Sequence, residues 1–235
     1  MTLRGFGIAA VVALVWIGAA AAQSVAPSPS TLNAATALPA PTDAQEVITR
    51  MLARNAGLES YMARVHVNAR PSIPLCRLRT DGTAYYKRPG SFAVVLNPIS
   101  GLCASSLKAI QRLSTDVGDP TGWEKDSNIK LAGTQPLDGR PMIVLVLTKK
   151  IYSDQIKDTT VYVDPATYEL VEMDWHYTNG DTIVMKQYYA TQDGFSVVVR
   201  QHFEGHRRIG FSGDSTYDSY QTNVAVNDAM FTKQP

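Results

Sequence analysis

The stretch TTVYVDPATYELVEMDWHYTNGDTIVMKQYYATQDGFSVVVRQHF, residues 159–203, decides the fold. Turn dipeptides punctuate it at Asp164-Pro165, Asn179-Gly180 and Asp193-Gly194. Between them the side chains alternate with a period of two, as a strand with one apolar face requires. Val171, Met173, Trp175 and Tyr177 share one face; Ile183, Met185 and Tyr189 share the next, with Gln187 interrupting. Phe195, Val197, Val199 and Phe203 form a third set. Asn179-Gly180 is the strongest turn signal, because a type I′ turn needs positive φ at both positions. The segments Thr159–Asp164, Leu170–Thr178, Asp181–Ala190 and Phe195–Phe203 therefore read as an antiparallel meander.

The same pattern extends outward. Arg207–Phe211 follows as a further strand; Asn128–Gly133 and Pro141–Thr148 flank an Asp138-Gly139 turn. Nearer the N-terminus, Tyr61, Ala63, Val65, Val67 and Ala69 alternate with polar residues. Asp81-Gly82 marks a hairpin between Leu75–Thr80 and Thr83–Lys87, and Arg88-Pro89-Gly90 turns the chain into Ser91–Leu96. The period is 3.6 in two places. Thr42 and Gln45 form a capping box; Val47, Ile48, Met51, Leu52 and Leu58 fall on one face, and Gly57 is a stop signal. This predicts a helix over Asp43–Ala56. Leu107, Ile110 and Leu113 suggest a second, short helix over Ser105–Leu113. The class is mainly β (α+β): ten or eleven antiparallel strands with an N-terminal helix. A sheet that long curls, and its apolar face needs a cover of helix or ligand.

The chain starts Met1-Thr-Leu-Arg4, runs apolar from Phe6 to Ala22 and ends that run in three alanines. This is the pattern of a secretory signal, with cleavage expected between Ala22 and Gln23; the alternative is an uncleaved membrane anchor. Residues 23–41 are rich in Ala, Pro and Ser and read as a flexible linker. The folded domain is then 42–235. Net charge is +1, and removing Arg4 leaves 21 basic against 21 acidic side chains. Such a balance lacks the basic stripe of a nucleic-acid binder. Cys76 and Cys103 are the two cysteines. In an oxidising compartment they suggest a disulfide, worth roughly 3–4 kcal/mol for a loop of about 28 residues; two buried thiols are the alternative.

No GxSxG, Walker or dinucleotide fingerprint occurs. His202 and His206 lie in a predicted strand, where four residues span about 13 Å, and HFEGH is not the HExxH pattern. Glu169, Glu172 and Asp174 read as the wetted face of one strand. A secreted hydrolase using His202 and Glu204 is the enzymatic alternative to a protein without catalysis, cofactor or metal. The broad apolar surface is the stronger feature. Val65, Val67, Phe92, Val94, Val144, Val146, Met173, Trp175, Met185, Val197 and Val199 are its candidate cavity residues. They make either an ordinary core or the lining of an apolar cavity, since large curled sheets enclose such spaces.

Several segments, in order, resemble the LolA/LolB-like family of lipoprotein carriers. They are Asp43–Leu58 with Tyr61–Val67; Gly82-Thr-Ala-Tyr-Tyr-Lys-Arg-Pro89-Gly-Ser-Phe92; Leu137-Asp-Gly-Arg-Pro141 through Leu147; Val161-Tyr-Val-Asp-Pro165 through Met173; and Tyr220-Gln-Thr-Asn223-Val through Phe231. The resemblance implies an unclosed antiparallel barrel of about eleven strands with one or two lid helices on its concave face. It implies a periplasmic, monomeric carrier that binds acyl chains of lipoproteins or lipids, with donor and acceptor proteins at the inner or outer membrane. It also implies that Arg88, the arginine of the Arg-Pro turn, clasps the lid. An envelope sensor that signals through a partner protein is the second reading. The two cysteines and the stretch Ile99–Thr115 depart from the carrier pattern.

Overall fold

The computed structural model describes residues 39–72, 77–98, 120–150, 156–206 and 210–232. The leader, the linker, both cysteines and the Ser105–Leu113 helix expectation lie outside them.

Helix α1 spans Ala44–Ala53. Its cap is Asp43, not Thr42: Asp43 Oδ1 accepts from the Glu46 amide at 2.8 Å, and Glu46 Oε2 accepts from the Thr42 amide at 2.8 Å. The expected capping box is thus shifted by one residue, because an acidic pair at Asp43 and Glu46 supplies both acceptors. Val47, Ile48 and Met51 are buried, as the helical period requires.

Ten strands follow: β1 (Ser60–Pro71), β2 (Leu78–Lys87), β3 (Ser91–Leu96), β4 (Ser127–Leu137), β5 (Arg140–Lys149), β6 (Ile156–Val163), β7 (Leu170–Tyr177), β8 (Thr182–Gln192), β9 (Phe195–His206) and β10 (Phe211–Thr222). A 3₁₀ turn at Pro120–Gly122, the short α2 (Trp123–Asp126) and α3 (Ala229–Thr232) complete the described elements. The strands form one antiparallel sheet in the order β3-β2-β1-β10-β9-β8-β7-β6-β5-β4. The sheet is unclosed, a half-barrel with β3 and β4 as its two edges. The chain enters mid-sheet, runs to one edge, passes to the other and meanders back until β10 pairs with β1.

Two local readings change. Asp81-Gly82 is not a turn: β2 runs straight through it, with Gly82 opposite Val65 on one side and Leu96 on the other. A Cβ on Gly82 would lie 2.3 Å from the Val95 carbonyl oxygen, so this glycine serves close strand approach and not positive φ. Asn179-Gly180 is not a two-residue turn, since only Gly180 has positive φ. The Asn179 side chain instead accepts from the Asp181 amide at 3.1 Å. The two-residue turns with positive φ at both positions are Asp138-Gly139 and Asp193-Gly194. Of the expected strand Arg207–Phe211, residues 207–209 lie outside the described residues; β9 extends to His206 and β10 begins at Phe211.

Two apolar clusters result. The first gathers Val47, Ile48 and Met51 of α1 with Ile143, Leu145, Val161, Met173, Trp175, Met185 and Phe203. The second gathers Val65, Val67, Leu78, Val94, Leu96 and Tyr217, with Phe92, Val198 and Tyr220 packed against it. We call the sheet face under α1 the inner face.

Candidate functional site

Polar bonds fasten α1 at both ends of its last turn. Arg50 donates to the Tyr168 hydroxyl and to Glu46. Arg54 donates to the Tyr168 carbonyl at 3.3 Å and lies 4.9 Å over the Tyr189 ring. Asn55 pairs with the backbone of Ser196, its Nδ2 donating to the carbonyl at 2.7 Å and its Oδ1 accepting from the amide at 3.0 Å. Where the helix ends, carbonyls lose their intrahelical donors. Arg88 supplies replacements: Nη2 donates to the Asn55 carbonyl at 2.6 Å and Nε to the Leu58 carbonyl at 3.2 Å. From the other side, Asn223 Nδ2 donates to the Gly57 carbonyl at 3.1 Å, and its Oδ1 accepts from the Glu59 amide at 2.8 Å. Asn223 has positive φ, which asparagine tolerates better than most residues.

Beneath this fastened turn, where the two clusters part, lies a cavity of about 110 Å³. Met51, Leu52, Leu58 and Pro120 cover it; Phe92, Val197 and Val198 add apolar wall. Its aromatic and amide lining is Tyr61, Tyr86, Tyr189, Tyr217, Tyr220, Gln187 and Gln201, and Arg54, Asn55, Arg88 and Ser196, which fasten the turn, complete it. Tyr61 stacks on Tyr86 with centroids 5.2 Å apart and meets Tyr220 edge-on at 5.3 Å. Burial pushes the Tyr189 phenol up to about 12. It also pushes Tyr61, Tyr217 and Tyr220 well above the usual phenol range. These hydroxyls stay neutral and act only as hydrogen-bonding groups.

The candidate cavity residues separate. Phe92 and Val197 line the cavity. Val65, Val67 and Val94 fill the second cluster, while Met173, Trp175 and Met185 fill the first. Val144 and Val146 face the other way, because they alternate with Ile143, Leu145 and Leu147, which point into the first cluster. Val199 is the residue left over at a bulge, where Tyr188 pairs with Arg200 but Tyr189 pairs with Val198. The bulge re-phases β9, so Gln201 and Phe203 face inward, not Val199. The period-two reading kept Val199 and Phe203 on one face but counted apolar residues alone, and so passed over Gln201 between them and missed the polar half of the lining. The one signal was Gln187, which interrupted an otherwise apolar strand face.

The outer face carries the titratable groups. Each histidine sits beside a carboxylate: His66 Nδ1 is 2.6 Å from Asp81, His176 2.6 Å from Asp158, His202 3.1 Å from Asp214 and His206 3.5 Å from Glu204. Among the described residues no group of three or more such side chains is placed to hold a metal. The reading of Glu172 as wetted surface is corrected: it is 5% exposed and lies 3.1 Å from Lys186. Glu172 and Asp174, two apart in regular register with Tyr162 and Thr160, share one face of β7. Burial, with Glu172 beside it, raises the Asp174 carboxyl to about 6.

No family model and no curated protein matches the sequence. Solved structures do match its fold. A DUF1329 family protein from Desulfovibrio piger superposes with a TM-score of 0.59 at 14% identity, covering 79% of this chain and 94% of its own. A putative outer membrane lipoprotein-sorting protein domain from Vibrio parahaemolyticus gives 0.60 at 10% identity, covering 80% and 95%. A LolA superfamily protein from Nitrosomonas europaea gives 0.55 at 14% identity, covering 82% and 99%. The chain has the LolA-like fold.

Proposed function

We propose, from a LolA-like fold with a covered cavity on its inner face, that this chain is a periplasmic carrier. It binds acyl chains of lipoproteins or lipids and shuttles them between envelope membranes. The observation that carries the reading is the cavity under the last turn of α1, held by Arg88. The lining side chains are aromatic, aliphatic, amide, hydroxyl and guanidinium groups, which suit binding better than acid–base chemistry. The N-terminal leader supports export, and the lipoprotein-sorting description of the Vibrio parahaemolyticus relative supports the cargo class.

At about 110 Å³ the cavity is smaller than the roughly 300–1,000 Å³ of ligand pockets. Entry of a chain must therefore displace its cover. Breaking two hydrogen bonds from an arginine costs on the order of 3–6 kcal/mol. Each buried methylene returns about 0.8 kcal/mol, so some four to eight methylenes offset the opening. Binding of a full acyl chain is then favourable yet reversible, as transfer requires.

Native mass spectrometry of the purified protein tests this. Co-purifying phospholipid or acylated peptide is expected; an empty protein holding zinc would overturn the reading in favour of a hydrolase. Deletion of the gene should mislocalise lipoproteins. Bound lipid without mislocalisation would replace the carrier with a sensor.

A further inference from the structure

Gln187 and Gln201 stand opposite each other on β8 and β9. They are 4% and 3% exposed, and both line the cavity. A buried primary amide needs partners at both ends. The oxygen ends have them. Tyr217 donates its hydroxyl to Gln201 Oε1 at 2.5 Å, and Tyr189 donates to Gln187 Oε1 at 2.5 Å. Tyr189 also lies 3.0 Å from the Leu170 carbonyl, but a phenol has one hydrogen and the shorter contact takes it.

The nitrogen ends are different. Gln187 Nε2 meets only the Met185 sulfur at 3.9 Å, a weak acceptor. Gln201 Nε2 makes no hydrogen bond among the described residues, although its oxygen is bound. With the oxygens held by tyrosines, the N–H ends of these two lining amides are what remains to meet a ligand. Arg54, on the same lining, adds a positive charge and a buried Nε without a hydrogen-bond partner. No carboxylate lines the space among the described residues.

We propose that Gln187 and Gln201 form a paired-donor site for the carbonyl oxygen of an acyl group, whether ester, amide or carboxylate. The inference rests on the acyl-binding reading and sharpens it: the cavity recognises the polar end of the acyl group as well as its chain. The carbonyl sets how deep the chain sits, and a bare hydrocarbon is discriminated against because it leaves the two amides unpaired.

Competition binding with decane, decanoate and methyl decanoate tests the site. The wild-type protein should bind the two oxygen-bearing ligands at least about tenfold more tightly than decane. The tighter of the two identifies carboxylate or ester as the natural head. Gln187→Met with Gln201→Met should remove the preference and strengthen decane binding. Equal affinity of the wild type for all three overturns the site but leaves the acyl cavity standing. Binding of none overturns both. A preference retained in the double variant overturns the site. Should that variant not fold, the wild-type series still decides. Tyr217→Phe, which frees the Gln201 oxygen, should then narrow the preference, and an unchanged preference counts against the site.

Discussion

Arg88 and Asn55 are joined by a 2.6 Å hydrogen bond from Nη2 to the Asn55 carbonyl, while the Asn55 side chain pairs with Ser196 on the opposite strand wall. One short turn is thus held from β2's end and from β9 at once. Arg88→Leu removes the first attachment: the Leu58 carbonyl loses its donor, and the Asn55 carbonyl keeps only the Leu58 amide at 2.9 Å. A loss of about 2–3 kcal/mol is expected in denaturant unfolding. Ligand exchange should accelerate, followed as the off-rate of a bound acyl probe. Unchanged retention would remove the clasp from the account.

Gly82 answers to packing alone. Its Cβ position lies 2.3 Å from the Val95 oxygen and 2.9 Å from the Leu96 Cα, both backbone atoms that cannot swing aside. Gly82→Ala should therefore force β2 and β3 apart at a cost of roughly 2–4 kcal/mol. The denaturation midpoint should fall at constant slope. A variant as stable as the parent would show that β3 yields freely.

Asp174 makes stability fall with rising pH. Its folded carboxyl titrates at about 6, raised from 3.8 by burial and by Glu172, against the lowering pull of His176 and Lys186. Between those values the folded state binds the proton and the unfolded chain does not, so stability is lost as pH rises through the window. Asp174→Asn should raise Tm at pH 7 by several degrees, on the order of 2 kcal/mol, and have little effect at pH 3.5. Equal effects at both pH values would contradict the assignment.

Asp43 caps α1 through the Glu46 amide. Asp43→Ala should cost about 1 kcal/mol, whereas Thr42→Ala, which keeps the backbone bond to Glu46, should cost little. Thermal unfolding of the two variants separates them, and the reverse order would restore Thr42 as the cap.

Much of this architecture was legible in periodicity. The meander from β4 to β9 was readable because each strand buries one face and has Asp-Gly, Asn-Gly or Asp-Pro at one end or both. The α1 face was readable because Val47, Ile48 and Met51 repeat at helical spacing. The errors fell where a local signal has two physical uses. Asp81-Gly82 has the composition of a turn, but its glycine is needed for close approach between β2 and β3. Val144 was counted with the lining although its neighbours Ile143 and Leu145 own the inner face. Val199 was miscounted because a bulge leaves no mark in a run of three valines.

The sequence by itself determined the class: an amphipathic helix and a long antiparallel sheet with more apolar surface than one face of solvent-exposed strand permits. Burial of alternate side chains enforces that much locally. Only the tertiary structure decided what occupies the space between. Gln187 and Gln201 lie 14 positions apart and Tyr61 and Tyr220 come from opposite ends of the domain, so their meeting depends on β1 pairing with β10 and on the phase set by one extra residue in β9. Those are properties of strand register, which no single strand encodes.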